Sequence, residues 1–153
     1  MSNRAVGDAM DIEEIPFHRL IGIREPRRGE AAMLALDDGP GLHNHLGTIH
    51  ASAQYSLAEA CSGAVLLRRL GDLATEVFAV LRRGEVKYRH PARGTLYASA
   101  SLTAVDEARV RAELATEGRS IIGVGVRVVD SAQAPVLTAT LTWLLQWAEG
   151  GVE

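Results

Sequence analysis

A single cysteine, Cys61, is all the thiol chemistry this chain carries. One cysteine closes no intrachain disulfide and supplies no paired metal-ligand spacing, so a reducing compartment is expected. Long apolar runs are missing too. The opening MSNRAVGDAMDIEEIPF lacks the apolar core of roughly 7–15 residues that a signal peptide needs, and nowhere do about 18 apolar residues stand together. The chain therefore reads as a soluble cytoplasmic protein with no membrane partner. Positive charge is in no surplus: 16 basic against 19 acidic residues leave a net charge of −3. That balance excludes a nucleic-acid footprint spread over the surface and makes any anion site local. Nucleotide-binding glycine motifs are absent, since the GVG at residues 123–125 falls inside a strand-like run and not ahead of a helix. Ser52, Ser56 and Ser62 lack a glycine-flanked nucleophile elbow. The spacing of His43, His45 and His50 matches no recognised zinc pattern, and neither a metal nor another cofactor is expected. Aromatic residues are scarce at 5%, while glycine numbers 15, a balance that suits close approach of backbones.

What is present fits one domain of 153 residues, 47% hydrophobic and 23% charged. Residues 1–10 are small, polar and aperiodic, as a tail would be, and the final EGGVE looks loose. DIEEIPFHRL, residues 11–20, suggests one short helical turn around Pro16 that aims Ile12, Ile15 and Phe17 at the core, with Gly22 marking its end. Residues 21–25 and 30–36 read as a hairpin across the turn PRRG. The run DDGPGLHNHLG must then lie at the surface. Over residues 51–70, Leu57, Ala58, Ala60, Cys61, Ala64, Val65, Leu67 and Leu70 cover most of a helical circumference, which predicts a slim buried helix stopped by Gly71. Strands are expected over 74–82, 85–90 and 95–103, the first two being readable as one bent strand. A superficial amphipathic helix over 104–117 repeats Val105, Ala108, Ala112 and Ala115 at helical spacing, and β-rich runs follow at 120–129 and 136–147. The pattern is α+β: a curved antiparallel sheet around one long helix, with an open edge that invites dimerisation and that Trp143 and Trp147 are expected to cover.

Chemically able residues gather where the loop enters the long helix. The helix start near Ala51 offers unpaired amides and about half a unit of positive charge, suited to a developing oxyanion. Gly47 lets the loop turn, Asn44 can donate to a carbonyl oxygen, and His50 is expected to orient the loop by hydrogen bonds. Glu59 interrupts an apolar helix, where an unpaired carboxylate is costly unless it has a task, so it is the candidate base or nucleophile. Eight residues of helix separate it from Ala51, about 12 Å along the axis, so one chain cannot easily bring both to one point. Cys61 reads as packing, and Tyr55 and Tyr88 carry no assigned role. Arg82, Arg83, Lys87, Arg89, Arg93 and Arg119 read as localised positive charge fit for a phosphate-bearing ligand, or as a solvated strand face.

The segment NHLGTIHASAQYSLAE resembles the active-site segment of hotdog-fold acyl-CoA thioesterases of the phenylacetate-pathway type. In that family an asparagine is followed three residues later by glycine, six later by histidine and fifteen later by a carboxylate. Here these are Asn44, Gly47, His50 and Glu59. IPFHRLIGI and YRHPARGTLYASASL are similar to the family's entry and middle-strand segments, so the resemblance runs from about residue 15 to residue 147. It implies a single hotdog domain, assembled as a homodimer or as a homotetramer made from two dimers, with acyl-CoA sites at the dimer interface. Asn44 and the Ala51 amide of one subunit would hold the thioester carbonyl, while Glu59 of the other would activate water or attack directly. Gly47 and Ser52 would border the substrate, and Arg89, Arg93 and Arg119 would meet the CoA phosphates. The implied activity is hydrolysis of a small or medium acyl-CoA to free acid and CoA. Two departures stand out: Ala51 and Ser52 replace the two glycines usual after the histidine, and Glu59 stands where many members have aspartate. A non-catalytic acyl-CoA sensor is the alternative if Ala51 and Ser52 obstruct the site. A hotdog dehydratase using His45 and Glu59 is the other.

Overall fold

The computed structural model describes residues 11–148; the tail expected at residues 1–10 and the loose end at 149–153 lie outside the described residues. A 3-10 turn, Ile12–Glu14, leads into a short helix α1 (Pro16–Ile21). Strands β1 (Ile23–Arg24) and β2 (Leu34–Leu36) follow, then a loop, then the long helix α2 (Ala51–Leu70). After a 3-10 turn over Gly71–Thr75 come β3 (Val77–Tyr88), β4 (Leu96–Ser101), helix α3 (Ala104–Glu117), β5 (Arg119–Val129) and β6 (Pro135–Trp147).

All six strands form one antiparallel sheet in the order β1-β2-β4-β5-β6-β3. Along β5, buried and exposed residues alternate, with Ser120, Ile122, Val124, Val126 and Val128 inward. That two-residue period is what a sheet with one face on the core and one in water requires. The inward face closes on α2, which is about 30 Å long at 1.5 Å per residue. Leu57, Ala58, Cys61, Leu66 and Leu70 of α2 are fully enclosed against Leu36, Leu96, Val124, Leu141 and Leu145. Small residues let the sheet curl tightly round the helix. A Cβ at Gly63 would already press on the Trp143 ring.

The long helix has the bounds expected, and Gly71 ends it with φ 51°, its N–H bonding to the Leu67 carbonyl. The hairpin is present but short, with Ile23 opposite Leu36, because residues 25–33 form a loop around charged contacts in place of a tight turn. The two strand runs expected over 74–90 are one strand, β3, bent by a bulge at Arg82.

Three expectations about packing are corrected. Phe17 is 53% exposed and His18 is the buried residue of α1. Pro16 at the first helical position sets a phase one residue later than the apolar pattern suggests. On α3 the buried residues are Val110 and Leu114, whereas Val105, Ala108, Ala112 and Ala115 face solvent, since larger side chains give more burial than alanine. The tryptophans cover no edge. β6 lies inside the sheet, where Trp143 Nε1 donates to Ser62 Oγ (2.9 Å) and Trp147 Nε1 to the Leu114 carbonyl (2.8 Å), tying the strand to both helices. Among the described residues the open edges belong to β1 and β3.

Among the described residues no helix is long and apolar enough to cross a membrane.

Candidate functional site

Residues 37–50 reach the α2 N-terminus through a network of short-range turns. Asp38 joins two loops: Oδ1 bonds His43 Nε2 (2.7 Å) and Oδ2 accepts the Gly94 N–H (2.8 Å). These two bonds hold the Asp38 carboxyl below the usual carboxylate range. His43 pairs with Ile49 as an isolated bridge, and the Ile49 N–H donates to the Ala92 carbonyl (2.9 Å). Between them Asn44 builds a tight turn. Its Oδ1 accepts the N–H groups of Leu46 (2.9 Å) and Thr48 (3.1 Å), and Gly47 takes the left-handed φ of 70° that the reversal needs. One Asn44 Nδ2 hydrogen goes to Thr48 Oγ1 (2.9 Å), which leaves its second for another acceptor.

His50 then caps the helix. Its Nδ1 accepts the Ser52 N–H (3.0 Å), its carbonyl takes the Ala53 and Gln54 N–H groups, and its own N–H bonds Leu42 O (2.7 Å). The loop-orienting role expected of His50 is therefore a capping role. Among the described residues the Ala51 N–H has no acceptor, and Ala51 is exposed. An outward amide thus sits at the positive end of a 20-residue helix. The Ala51 carbonyl receives the Tyr88 hydroxyl from the end of β3 (3.2 Å). Tyr55, one turn on, lies over Gly84 of β3, two residues past the bulge, where a Cβ would overlap its hydroxyl.

Glu59 is half-buried on the helix beyond. Burial pushes its carboxyl above the ordinary value of 4.5, partly opposed by His18 of α1. Among the described residues its carboxylate has no hydrogen bond or ion pair within the protomer. It lies about 12 Å along the axis from the Ala51 amide. Cys61 is enclosed and burial pushes its thiol up to about 12, so it has no nucleophilic role.

The basic residues divide. Arg93 Nη1 donates to the Gly47 carbonyl (3.4 Å) in the loop that leads into α2, whereas Arg89 donates through Nε and Nη2 to Thr138 Oγ1 of β6 (3.2 and 3.0 Å). Arg83 pairs with Glu85 (2.6 Å). Arg119 opens β5, while the other end of β5 pairs with β4 next to Arg93, about 33 Å away along the strand. Arg119 and Arg82 instead line an open groove of about 610 Å³ with Arg109, Glu113 and Glu117. His45 and Ser52 are exposed, the former on the loop and the latter on the first helical turn.

Sequence reasoning passed over Asp38, Thr48, His18 and Gln54. Asp38 and Thr48 were visible only as loop polar residues, because their partners are set by the fold. Gln54 Nε2 donates to the Ile49 carbonyl (3.0 Å), whereas its Oε1 is enclosed without a donor among the described residues. Such an orphan costs about 1–3 kcal/mol, which a buried water or a neighbouring donor relieves.

Solved structures share this architecture. A Pseudomonas aeruginosa protein of unknown function, called a "Probable Thioesterase", is 22% identical, with 90% of this chain and 91% of that one aligned at a TM-score of 0.72. A Shewanella oneidensis protein related to the thioesterase superfamily is 16% identical over 85% and 86% of the two chains, with a TM-score of 0.62. A Bacillus halodurans protein crystallised with CoA is 22% identical over 73% of this chain and 69% of that one, with a TM-score of 0.59. No curated protein matches. The fold shared with these structures is a hotdog, a curled six-stranded antiparallel sheet around a long central helix. A family model, DUF4442, described as a domain of unknown function, matches residues 13–145, and the chain belongs to that family.

Proposed function

We propose that the protein hydrolyses acyl-CoA thioesters to a free acid and CoA, working as a homodimer whose sites combine two chains. The observation that carries the reading is Glu59, a half-buried carboxylate with raised proton affinity and no partner among the described residues, set between the buried Ala58 and Ala60 of the long helix. A base of that kind accepts a proton from water nearer neutrality than an exposed carboxylate does. The acceptor-free Ala51 amide, at the positive helix end, and the second Asn44 Nδ2 hydrogen are the donors for the thioester oxygen.

In the proposed step, water held by Glu59 loses a proton to the carboxylate as its oxygen bonds to the thioester carbon. The carbonyl oxygen becomes an oxyanion facing Ala51 N–H and Asn44. Collapse expels the CoA sulfur, which takes the proton back from Glu59. Because Glu59 and Ala51 stand two turns apart on one helix, Glu59 of one subunit serves Asn44 and Ala51 of the other. The unpaired edge of β3, twelve residues long, is the surface through which two chains would join. Arg93, bonded to the Gly47 carbonyl, stands beside the loop before the helix and is the cation for a CoA phosphate, and a CoA-bound protein of this fold supports that ligand class.

Thiol release from a panel of acyl-CoA esters, measured for wild type, Asn44→Ala and Glu59→Ala, tests the reading. Loss of the base is expected to lower kcat by about 100- to 10,000-fold, and loss of the Asn44 donor by about 100- to 1,000-fold. Unchanged turnover in Glu59→Ala sinks the mechanism. CoA binding without turnover in the wild type would make the chain an acyl-CoA sensor.

A further inference from the structure

Two loops far apart in the chain meet at the Asn44 turn. The connection between β3 and β4, residues 89–95, touches the loop ahead of α2 at three successive positions. The Ala92 carbonyl accepts the Ile49 N–H (2.9 Å), Arg93 Nη1 donates to the Gly47 carbonyl (3.4 Å), and the Gly94 N–H donates to Asp38 Oδ2 (2.8 Å). Ala92 is fully enclosed, whereas Arg93 is exposed. The segment is thus seated in the core on one side and offers a cation to solvent on the other.

Arg93 grips one end of a peptide whose other end holds Asn44. The Gly47 carbonyl and the Thr48 N–H belong to the same planar unit. That N–H donates to Asn44 Oδ1 (3.1 Å), which also takes the Leu46 N–H (2.9 Å). The Asn44 Nδ2 that completes the same amide bonds Thr48 Oγ1 (2.9 Å) and keeps its second hydrogen for another acceptor. Whatever fixes the peptide between Gly47 and Thr48 therefore fixes where the Asn44 donor points.

A guanidinium carries five N–H groups in a rigid fork. Arg93 uses one on Gly47, and the others have no acceptor among the described residues. The nearby Asp38 carboxylate is taken up by His43 (2.7 Å) and by the Gly94 N–H, so it does not occupy the fork. Open prongs of this geometry suit a phosphate.

We propose that Arg93 couples CoA recognition to catalysis: with one N–H on the Gly47 carbonyl and the others on a CoA phosphate, it holds the Asn44 donor in the geometry that receives the thioester oxygen. The catalytic meaning rests on the hydrolase reading, but the coupling of a phosphate at Arg93 to the Asn44 turn belongs to one folded chain and is read without turnover. A cation that only attracted CoA would change KM alone. One that also fixes the donor directs part of the phosphate's binding energy to the transition state and so changes kcat.

The test uses one acyl group carried on CoA and on pantetheine, which presents the same thioester without any phosphate. On wild type, kcat for the pantetheine ester is expected to be about 10-fold lower than for the CoA ester. In Arg93→Met that ratio falls toward one, with melting temperature reporting on fold. Arg93→Lys, a point charge without the fork, recovers KM for the CoA ester more than kcat. Independently of turnover, nitrogen-15 NMR follows hydrogen exchange of the Leu46 and Thr48 amides at saturating CoA or pantetheine. CoA is expected to slow exchange in wild type and not in Arg93→Met, and pantetheine in neither. A raised KM with unchanged kcat in Arg93→Met overturns the proposal, as do wild-type amides that CoA leaves unprotected or a wild type that binds no CoA. Protection by CoA that vanishes in Arg93→Met, in a protein that hydrolyses no acyl-CoA, upholds the coupling and refutes the hydrolase reading. Acyl-CoA hydrolysis with unprotected amides does the reverse.

Discussion

Replacing Glu59 by glutamine should make the protein more stable and less active at once. The substitution keeps the shape of the side chain and removes its charge from a site with no ion partner among the described residues. An inadequately compensated buried polar group costs about 1–3 kcal/mol. Because Glu59 is only half-buried, solvent screening places the gain at the low end, about 1 kcal/mol. For a domain near 150 residues that is a rise of about 2–4 °C in melting temperature. The pH dependence fixes the cause. The folded-state proton affinity of Glu59 lies above its ordinary 4.5, so its contribution to stability is fully present below about pH 4.5 and is lost as pH rises through the higher folded value. The difference in melting temperature between Glu59→Gln and wild type should therefore be near zero at pH 4 and open by pH 8. Scanning calorimetry across that range, beside thiol-release assays on the same samples, measures both effects. A Glu59→Gln protein less stable than wild type at pH 8 would refute the reasoning, because it would mean the carboxylate is paired, for instance across a subunit interface.

Three further outcomes are expected. Trp143→Phe loses the buried bond to Ser62 Oγ, and since Ser62 keeps its own bond to the Glu59 carbonyl (2.7 Å), stability in urea should fall by about 1–2 kcal/mol without loss of fold. Gly84→Ala puts a methyl where the Tyr55 hydroxyl lies, and should destabilise the protein by about 1–3 kcal/mol, with part of the loss recovered when Tyr55→Phe is added in a double-mutant cycle. Arg24→Met should flatten the acid limb of the melting-temperature profile. Bonds from Arg24 hold the Glu30 and Asp37 carboxyls at about 2, so their contribution is present above the ordinary carboxylate range and is lost as pH falls toward 2.

The long helix was legible because its signals are local: a polar glycine loop, small and apolar residues all round, and Gly71 at the end. The alternation along β5 and β6 was equally local. What failed was the choice between faces. On α3, Ala108, Ala112 and Ala115 repeat at helical spacing, but two bulkier side chains, Val110 and Leu114, decide which side the sheet accepts. On α1 six residues hold under two turns, so a shift of one position exchanges Phe17 for His18. The tryptophans were misplaced because strand order is not written in strand sequence; only the pairing of β3 beyond β6 moves Trp143 from an edge to the interior. Of the candidate residues, Asn44, Gly47, His50 and Glu59 were named from the loop and helix they stand on and from the family resemblance. Their supports could not, since the Gly94 amide that fixes Asp38 is 56 residues distant along the chain.

Tyr88 closes β3, the strand whose outer edge has no partner, and its hydroxyl grips the carbonyl of the residue whose amide points outward. The boundary of the sheet and the first peptide of the helix are thus one mechanical unit. In the proposed dimer a second chain lying along β3 would therefore act on Ala51, and the rate per chain, not merely the number of complete sites, would depend on protein concentration.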